Sequence, residues 1–518
     1  MRLGIDLGTT RTRIAAAVKG NYPIISFHTE EGEVFDWYPS LIAVQKGRIL
    51  FGLDAWNVQY DASWEICHSL KRLFGEREPN SIVSIGSIQL PLIEWLQRFL
   101  VALREDLLTR SNLELPPKEK LEAMVGVPAN ANSNQRFLTL EAFRTAGFEV
   151  LGLQNEPSAA GIEYAHRFRQ SDLTRRREFV VVYDFGGGTF DVSVIHMTQQ
   201  DHEVIASEGI SRLGGDDLDE VLLELAQAHP ELAGSAMDWI SRSRLLNLCR
   251  EAKENINPNT RKITIDLGQI SVVGGALMIG VQNFYEKCLP LVQQTIESAE
   301  RVMRSCLAEE EGMPSLACVY LVGGSCELPL LSRSLKEKFG KRVRRSPYPS
   351  AATAIGLAIT ADQQSGYKLQ DRFSRHFGVW RENNFGKEMV FDPIFSKETR
   401  LPLPGEKPLT VTRAYHPVHN IGHFRFIECG QLGEHSQPMG TVIYWDETLF
   451  PFDPRLAEKT GLTEQDVHRW AEGASHRVEE IYRCDSRGIV EVDIADKTTG
   501  LLRSLKVRTT RAKNPRKK

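Results

Sequence analysis

LGIDLGTTRTRIAAAV (residues 3–18) and VVYDFGGGTFDVSVI (residues 181–195) are one plan written twice. Each is an apolar run ending in an aspartate, Asp6 or Asp184, then a glycine and threonine turn, then a second β-rich run. Such runs about a glycine turn predict a β-hairpin. The same hairpin in two distant places predicts a duplicated α/β unit that holds a ligand between two similar lobes. The turns also indicate the ligand's chemistry. Gly8, Thr9 and Thr10 in the first, and Gly186, Gly187 and Gly188 in the second, leave backbone N–H groups and hydroxyls room to approach phosphate oxygens. An acid precedes each turn, and a carboxylate beside a phosphate needs a cation to offset the repulsion, so Mg²⁺ held largely through water is expected. A third glycine turn, LVGGSCELP (321–329), follows a strand-like VYLV and suits a backbone packed against a flat base or a ribose.

Outward from these turns the composition is ordinary. A chain of 518 residues has room for about two to four domains. It is 42% hydrophobic, 25% charged and 8% aromatic, which excludes disordered, collagen-like and disulfide-scaffold classes. Its 63 basic and 67 acidic side chains leave a net charge of −4, so no global field calls for a nucleic acid or a membrane surface. No apolar run approaches the roughly 20 residues of a membrane span. The cysteines (67, 249, 288, 306, 318, 326, 429 and 484) form no CxxC pair, and MRLGIDLGTT has no apolar signal core, so a reducing cytoplasm is expected. Residues 503–518 carry eight Lys or Arg and no acid, a pattern expected of a solvated terminal tail.

Organisation follows from texture. RFRQSDLTRRRE (167–178) is polar and basic, a junction between the two lobes. Helical spacing puts Leu218, Val221, Leu222 and Leu225 on one face, and Leu289, Val292, Ile296 and Met303 on another. Past about residue 366 the chain turns to short alternating runs broken by Pro and Gly, such as LPLPGEKPLTVTRAY (401–415) and GIVEVDIAD (488–496), so the second half is expected to be β-rich. TEQDVHRWAEGASHRVEEIY (463–482) is the exception, an expected short amphipathic helix with Thr463 as its N-cap.

Taken together the motifs resemble the 70-kDa heat-shock (DnaK-like) chaperones. IDLGTT (5–10) resembles that family's first phosphate motif, YDFGGGTFDVS (183–193) its second, LVGGS (321–325) its adenosine motif, NEPSAAGIEYA (155–165) its first connecting helix, and LKRLFG (70–75) the segment with its catalytic lysine. The resemblance implies an α/β fold: a duplicated, two-lobed actin-like (ribonuclease-H-like) ATPase domain over residues 1–362. A linker at 363–372, a β-sandwich substrate-binding-like domain at 373–502 and the basic tail at 503–518 would follow. It implies ATP/ADP with Mg²⁺ and K⁺ as cofactors. Lys71 would orient the attacking water and stabilise the γ-phosphate, with Glu156, Asp184 and Thr189 positioning water and magnesium. Asp6, Asp184 and Asp191 would hold hydrated metal. Thr9, Thr10, Arg11, Gly186, Gly187, Gly188, Gly214, Gly215, Lys253, Gly323, Gly324 and Ser325 would bind nucleotide. Pro128, Arg136 and Asp371 would be the switch that reports nucleotide state. Implied partners are unfolded or extended polypeptide, a J-domain co-chaperone and a nucleotide-exchange factor.

The departures from the family matter as much. Glu254 and Glu327 stand where relatives place arginines against adenine, Arg250 where an acid is usual, and Ser350 where Asp is usual. Losing guanidinium stacking forfeits about 1 kcal/mol per contact, so weaker ATP binding is expected. The linker equivalent YKLQD (367–371) has only Tyr367 and Leu369 as apolar residues, which predicts weak docking, since a buried Leu is worth about 1.5–3 kcal/mol. RHFGVWRE (375–382), GHFRFIECG (422–430) and YRCDSRGIVEVDIADKTTG (482–500) match β-domain strands, while the stretch 434–481 is longer than expected and unmatched. With 18 residues after Gly500, a helical lid is not expected. Two functions remain open at this level: a lidless chaperone-type ATPase, or a nucleotide-binding scaffold dedicated to one protein partner.

Overall fold

A computed structural model of the chain describes residues 1–116, 119–172, 178–198, 201–232, 237–268, 275–307, 315–384 and 387–506. It divides into two units, one of Met1–Ala129 with Leu140–Leu369, the other of Asn130–Thr139 with Gln370–Lys518.

The first unit holds two mixed sheets of one design. The first runs in the order Glu149–Asn155, Glu122–Val127, Arg2–Asp6, Arg11–Ala16, Tyr38–Pro39. The second runs Val343–Arg345, Leu316–Val322, Phe179–Phe185, Phe190–Met197, Asp201–Ile210, Lys368–Gln370. In each, the glycine-turn hairpin is antiparallel, with Asp6 opposite Arg13 and Asp184 opposite Asp191. In each, the hairpin's first strand takes a parallel neighbour, Ile5 beside Val125 and Asp184 beside Val322. Strands covered on both faces lose their polar alternation, which is why Val180, Val181, Val182 and Tyr183 are all buried. The helix Ala352–Ala361 lies directly on the first sheet: a Cβ on Gly4 would stand 2.2 Å from the Ala358 backbone nitrogen. No helix of the described residues is long and apolar enough to cross a membrane.

Two helical expectations meet different outcomes. In the helix Gly215–Gln227, Leu218 and Leu222 are buried, with Val221 and Leu225 packed against the same core. In Val281–Cys306 the buried stripe is Phe284, Cys288, Val292, Ala299 and Met303, and Leu289 is left exposed, one position off that stripe. The helix Glu156–Asp172 runs into the expected junction, whose residues 173–177 lie outside the described set. The linker also shows contacts that its composition did not announce. Lys368–Gln370 is an edge strand of the second sheet. Tyr367 stacks on His202 with centroids 5.8 Å apart and meets His166 edge-on at 5.9 Å, while Leu369 packs against the same core residues. Main-chain pairing and the Tyr367 ring thus both hold this segment to the sheet.

The second unit carries two four-stranded antiparallel sheets. One runs Glu388–Phe395, His376–Asn383, Ile421–Leu432, Pro438–Pro451; the other runs Leu409–Tyr415, Val478–Cys484, Val490–Asp496, Leu502–Lys506. They share an aromatic core that includes Phe377, Phe426, Trp445 and Tyr482. The segment 463–482 is not a helix. Thr463 does cap a turn, in a capping box with Asp466, but only 3₁₀ turns Glu464–Asp466 and Ala471–Ser475 follow, and then the strand Val478–Cys484. Gly473 interrupts that segment, and its end alternates burial at period two, with Val478, Glu480 and Tyr482 facing in, which explains the outcome. Gly473 is held so close to the Pro417 carbonyl that a Cβ there would lie 2.1 Å from it. The basic tail enters the second sheet through Leu502–Lys506, and 507–518 lie outside the described residues.

An ion network ties the two sheets of this unit together. Arg381, from the first sheet, forks onto Glu480 of the second at 3.0 and 2.8 Å and holds Asp392 at 2.7 Å; Arg413 of the second sheet returns to Asp392 at 3.0 Å. Glu480 is wholly buried, so its carboxylate depends on that guanidinium. Removing one partner of such a pair costs about 3–5 kcal/mol. Arg381→Ala is therefore expected to lower the unit's stability by about that much, seen as faster amide hydrogen exchange along Val478–Cys484 in the intact chain.

Candidate nucleotide site

The two duplicated turns face each other. A Cβ on Gly187 would lie 2.9 Å from Thr10 Oγ1, and one on Gly188 2.6 Å from Thr9 Oγ1, so only glycine allows this approach. The turn at Gly214 fits beneath them: Gly215 N–H donates to Gly186 O at 2.9 Å and Asp216 N–H to Gly187 O at 2.8 Å. Ser325 Oγ donates to the Gly186 carbonyl at 2.8 Å, and Gly323, at φ +85°, passes so near Phe185 O that a side chain would not fit. Together these turns border a cavity of about 600 Å³ lined also by Asp6, Lys71, Glu156, Asp184, Thr189, Lys253 and Gly324.

In and beside the cavity four carboxyls share one lysine, Glu156 and Asp191 buried, Asp6 and Asp184 half-buried. Lys71 Nζ donates to Glu156 Oε1 at 2.6 Å, both side chains nearly inaccessible. Burial works against the Lys71 charge, but Glu156 and Asp6 outweigh it and hold the ammonium above its ordinary pKa. The acids fare worse. Burial, then Glu156, pushes Asp6 and Asp191 each up to about 7, and burial with Glu156 and Asp6 pushes Asp184 well above the usual carboxylate range. Thr189 hydrogen-bonds Asp191 and lowers that shift in part. An all-oxygen donor set with surplus negative charge, opening onto phosphate-sized turns, fits a hydrated Mg²⁺.

The lysine's position is not left to its own turn. Leu70–Gly75 is a 3₁₀ turn entered through Ser69 at φ +60°. Ser69 Oγ donates to Asp216 at 2.7 Å, and Arg72 pairs with Asp217 at 2.8 Å and Asp216 at 3.4 Å. Sequence reasoning missed these three anchors. The signal was present in GGDD, acids in the first turn of an amphipathic helix, where carboxylates favour the helix N-terminus and stand ready for a cation.

Elsewhere the cavity wall carries an ion network. Arg11 lies 4.6 Å over the Trp37 ring and pairs with Glu254 at 2.6 Å across the cavity. Lys253 reaches Gly215 O at 2.8 Å and Asp219 at 2.6 Å; Arg250 joins Asp219 at 3.0 Å and Asp216 at 3.3 Å. Asp219 is buried between two cations, which accounts for an arginine at position 250. Glu327 and Ser350 line the same cavity.

The expected switch residues do not join this set. Pro128 follows the strand Glu122–Val127 in the first unit. Arg136 and Asp371 belong to the second. There Arg136 is buried, donates to the Arg487 carbonyl at 3.1 Å, and has its guanidinium pulled below its usual pKa by burial, with Asp371 opposing the shift.

A cavity bordered by glycine turns and lined by acids around one lysine thus sits in a unit of mixed α/β sheets. The family model for the Hsp70 protein matches residues 111–374, and the chain belongs to the Hsp70 family. Among curated relatives, the chaperone protein HscA of Cronobacter sakazakii is 31% identical over 382 residues, 70% of this chain and 58% of that protein. An HscA homologue of Haemophilus influenzae is 27% identical over 98% of this chain and 77% of its own length. The chaperone protein DnaK of Psychrobacter cryohalolentis is 27% identical over the same shares.

The acid cluster has a pH signature. A carboxyl whose proton the fold holds up to about pH 7 contributes stability that is full below the unfolded value near 3.8 and drains away as pH rises to about 7. Without nucleotide or metal, the melting temperature is expected to fall between pH 5 and 8, and added Mg²⁺ to reduce that fall. A thermal-shift series across pH, with and without Mg²⁺, checks it.

Proposed function

We propose that the chain binds ATP and ADP with Mg²⁺ in this cavity and hydrolyses ATP slowly. In this reading it is a chaperone that grips unfolded or extended polypeptide through its β unit. The observation that carries the reading is Lys71, buried on Glu156 among Asp6, Asp184 and Asp191, where two glycine turns meet. The two like sheets are then the lobes of an actin-like ATPase domain. Thr9, Thr10 and Gly186 to Gly188 hold phosphate oxygens. Lys71 orients the attacking water and stabilises charge on the γ-phosphate, with Glu156, Asp184 and Thr189 fixing that water. Asp6, Asp184 and Asp191 hold hydrated Mg²⁺, which supplies charge neutralisation. Phosphoryl transfer rests on positioning and neutralisation more than on covalent help, and these residues supply both. K⁺, a J-domain co-chaperone, a nucleotide-exchange factor and a cytoplasmic location belong to the same reading, which the chaperone names of the HscA and DnaK relatives support.

One observation favours a second reading, a nucleotide-binding scaffold with little turnover. The base end offers Glu254, Glu327 and a committed Arg11 in place of stacking arginines, which weakens ATP binding. Steady-state hydrolysis by wild type and Lys71→Ala, with and without an unfolded peptide, separates the two. The ATPase reading expects turnover that falls about 10²–10³-fold in the variant, the usual effect of removing one transition-state donor, while Mg·ATP still binds by calorimetry. It also expects stimulation by peptide. Turnover that is absent, or indifferent to Lys71, leaves the scaffold reading.

A further inference from the structure

The strands Ile421–Leu432 and Pro438–Pro451 pair with His423 opposite Leu449 and Arg425 opposite Glu447, which makes His423 and Glu447 diagonal neighbours on one face. His423 Nε2 is hydrogen-bonded to Glu447 Oε1 and stands 3.9 Å from Glu464 Oε1. The three ligand atoms lie within 4.8 Å of one another. Among the described residues neither carboxylate has an ion pair with any cation except this imidazole.

Glu464 is brought there by a rigid support. Asn420, wholly buried just before the strand, donates from Nδ2 to the Asp466 carbonyl at 3.0 Å and accepts the His468 N–H at 2.8 Å. Thr463 closes the turn, its N–H and its hydroxyl each 2.9 Å from Asp466 Oδ2. This turn belongs to residues 452–477, which hold three short 3₁₀ turns and no strand. A run of irregular chain this long inside a compact unit is uncommon, and an ordered one is usually functional. It also lies in the part of the β unit that the family's motifs leave unmatched.

We propose that His423, Glu447 and Glu464 form a divalent transition-metal site, best suited to Zn²⁺, that fastens the 452–477 segment to the sheet. One imidazole nitrogen and two carboxylate oxygens are donors that Zn²⁺ takes at about 2.0–2.2 Å, with a fourth position left for water. Ligand atoms around a tetrahedral ion of that radius stand about 3.3 Å apart, so on binding Glu447 draws back slightly from His423 while Glu464 closes in from 3.9 Å. Nothing packed opposes this, since the Glu447 and Glu464 side chains are 51% and 73% exposed. Nitrogen and oxygen donors favour Zn²⁺ over Mn²⁺ or Fe²⁺ in the ordinary affinity order, and the two carboxylates match its charge. The site shares no residue with the nucleotide cavity, so it stands or falls apart from the proposed ATPase.

Zinc is titrated calorimetrically into the full chain, stripped of metal by chelator, and into His423→Ala and Glu464→Gln. The exposed Glu464 makes the second variant one that keeps its fold, which circular dichroism verifies. A zinc-binding event in the wild type, weakened at least about tenfold by either substitution, is expected. Zinc is also expected to slow tryptic cleavage at Arg455, Lys459 and Arg469 in the wild type and not in the variants. No binding, or one isotherm common to all three proteins, overturns the site. Binding without protection overturns the fastening.

Discussion

Everything at the candidate nucleotide site depends on placing four carboxyls, two of them fully buried, around one ammonium. Lys71 and Glu156 neutralise each other, and Asp6, Asp184 and Asp191 are left with charge that burial penalises. Such an arrangement is costly for a fold on its own. It becomes intelligible when a divalent cation and phosphates complete it, because metal charge reverses the local preference for protonation. The rest of the first unit serves this placement. Duplicated hairpins deliver Asp6 and Asp184 from two sheets, and Asp191 lies across from Asp184 in the same hairpin. The Ser69 and Arg72 contacts to Asp216 and Asp217 hold the lysine's turn in place.

Two parts of the cavity wall differ. The phosphate end keeps glycines where any Cβ would collide with a facing threonine or carbonyl, so its backbone is preformed for close approach. Another part of the wall carries Arg11 of the first hairpin, braced on Trp37 and paired with Glu254. A guanidinium that already has a carboxylate and an indole is poorly placed to stack on a base as well.

Much of this was legible in the sequence, for definite reasons. The hairpins are local, and a glycine turn between β-rich runs carries its own geometry, so Asp6, Thr9, Thr10, Asp184 and Gly186 to Gly188 are readable without a fold. Lys71 is different: its isolated turn says nothing, and only resemblance to a family motif singled it out. Ser69, Arg72, Asp216 and Asp217 went unread because their meaning is a contact between segments far apart in the chain. The apparent helix at 463–482 failed because its polar half offers the capping signal while its apolar half has strand periodicity, and the strand's partners decide between them. The linker's few apolar residues were legible, but not its main-chain pairing at a sheet edge or the packing of Tyr367 on two histidines.

The account's central claim is that the acid cluster is completed by a divalent cation together with phosphate. Calorimetric titration of ADP into the metal-free chain, with Mg²⁺ and then with excess chelator, tests it most directly. Binding at least about tenfold tighter with Mg²⁺, as expected when a cation relieves carboxylate–phosphate repulsion, is the predicted result. Equal affinity in chelator would contradict the account, because Asp6, Asp184 and Asp191 would then have no charge to answer.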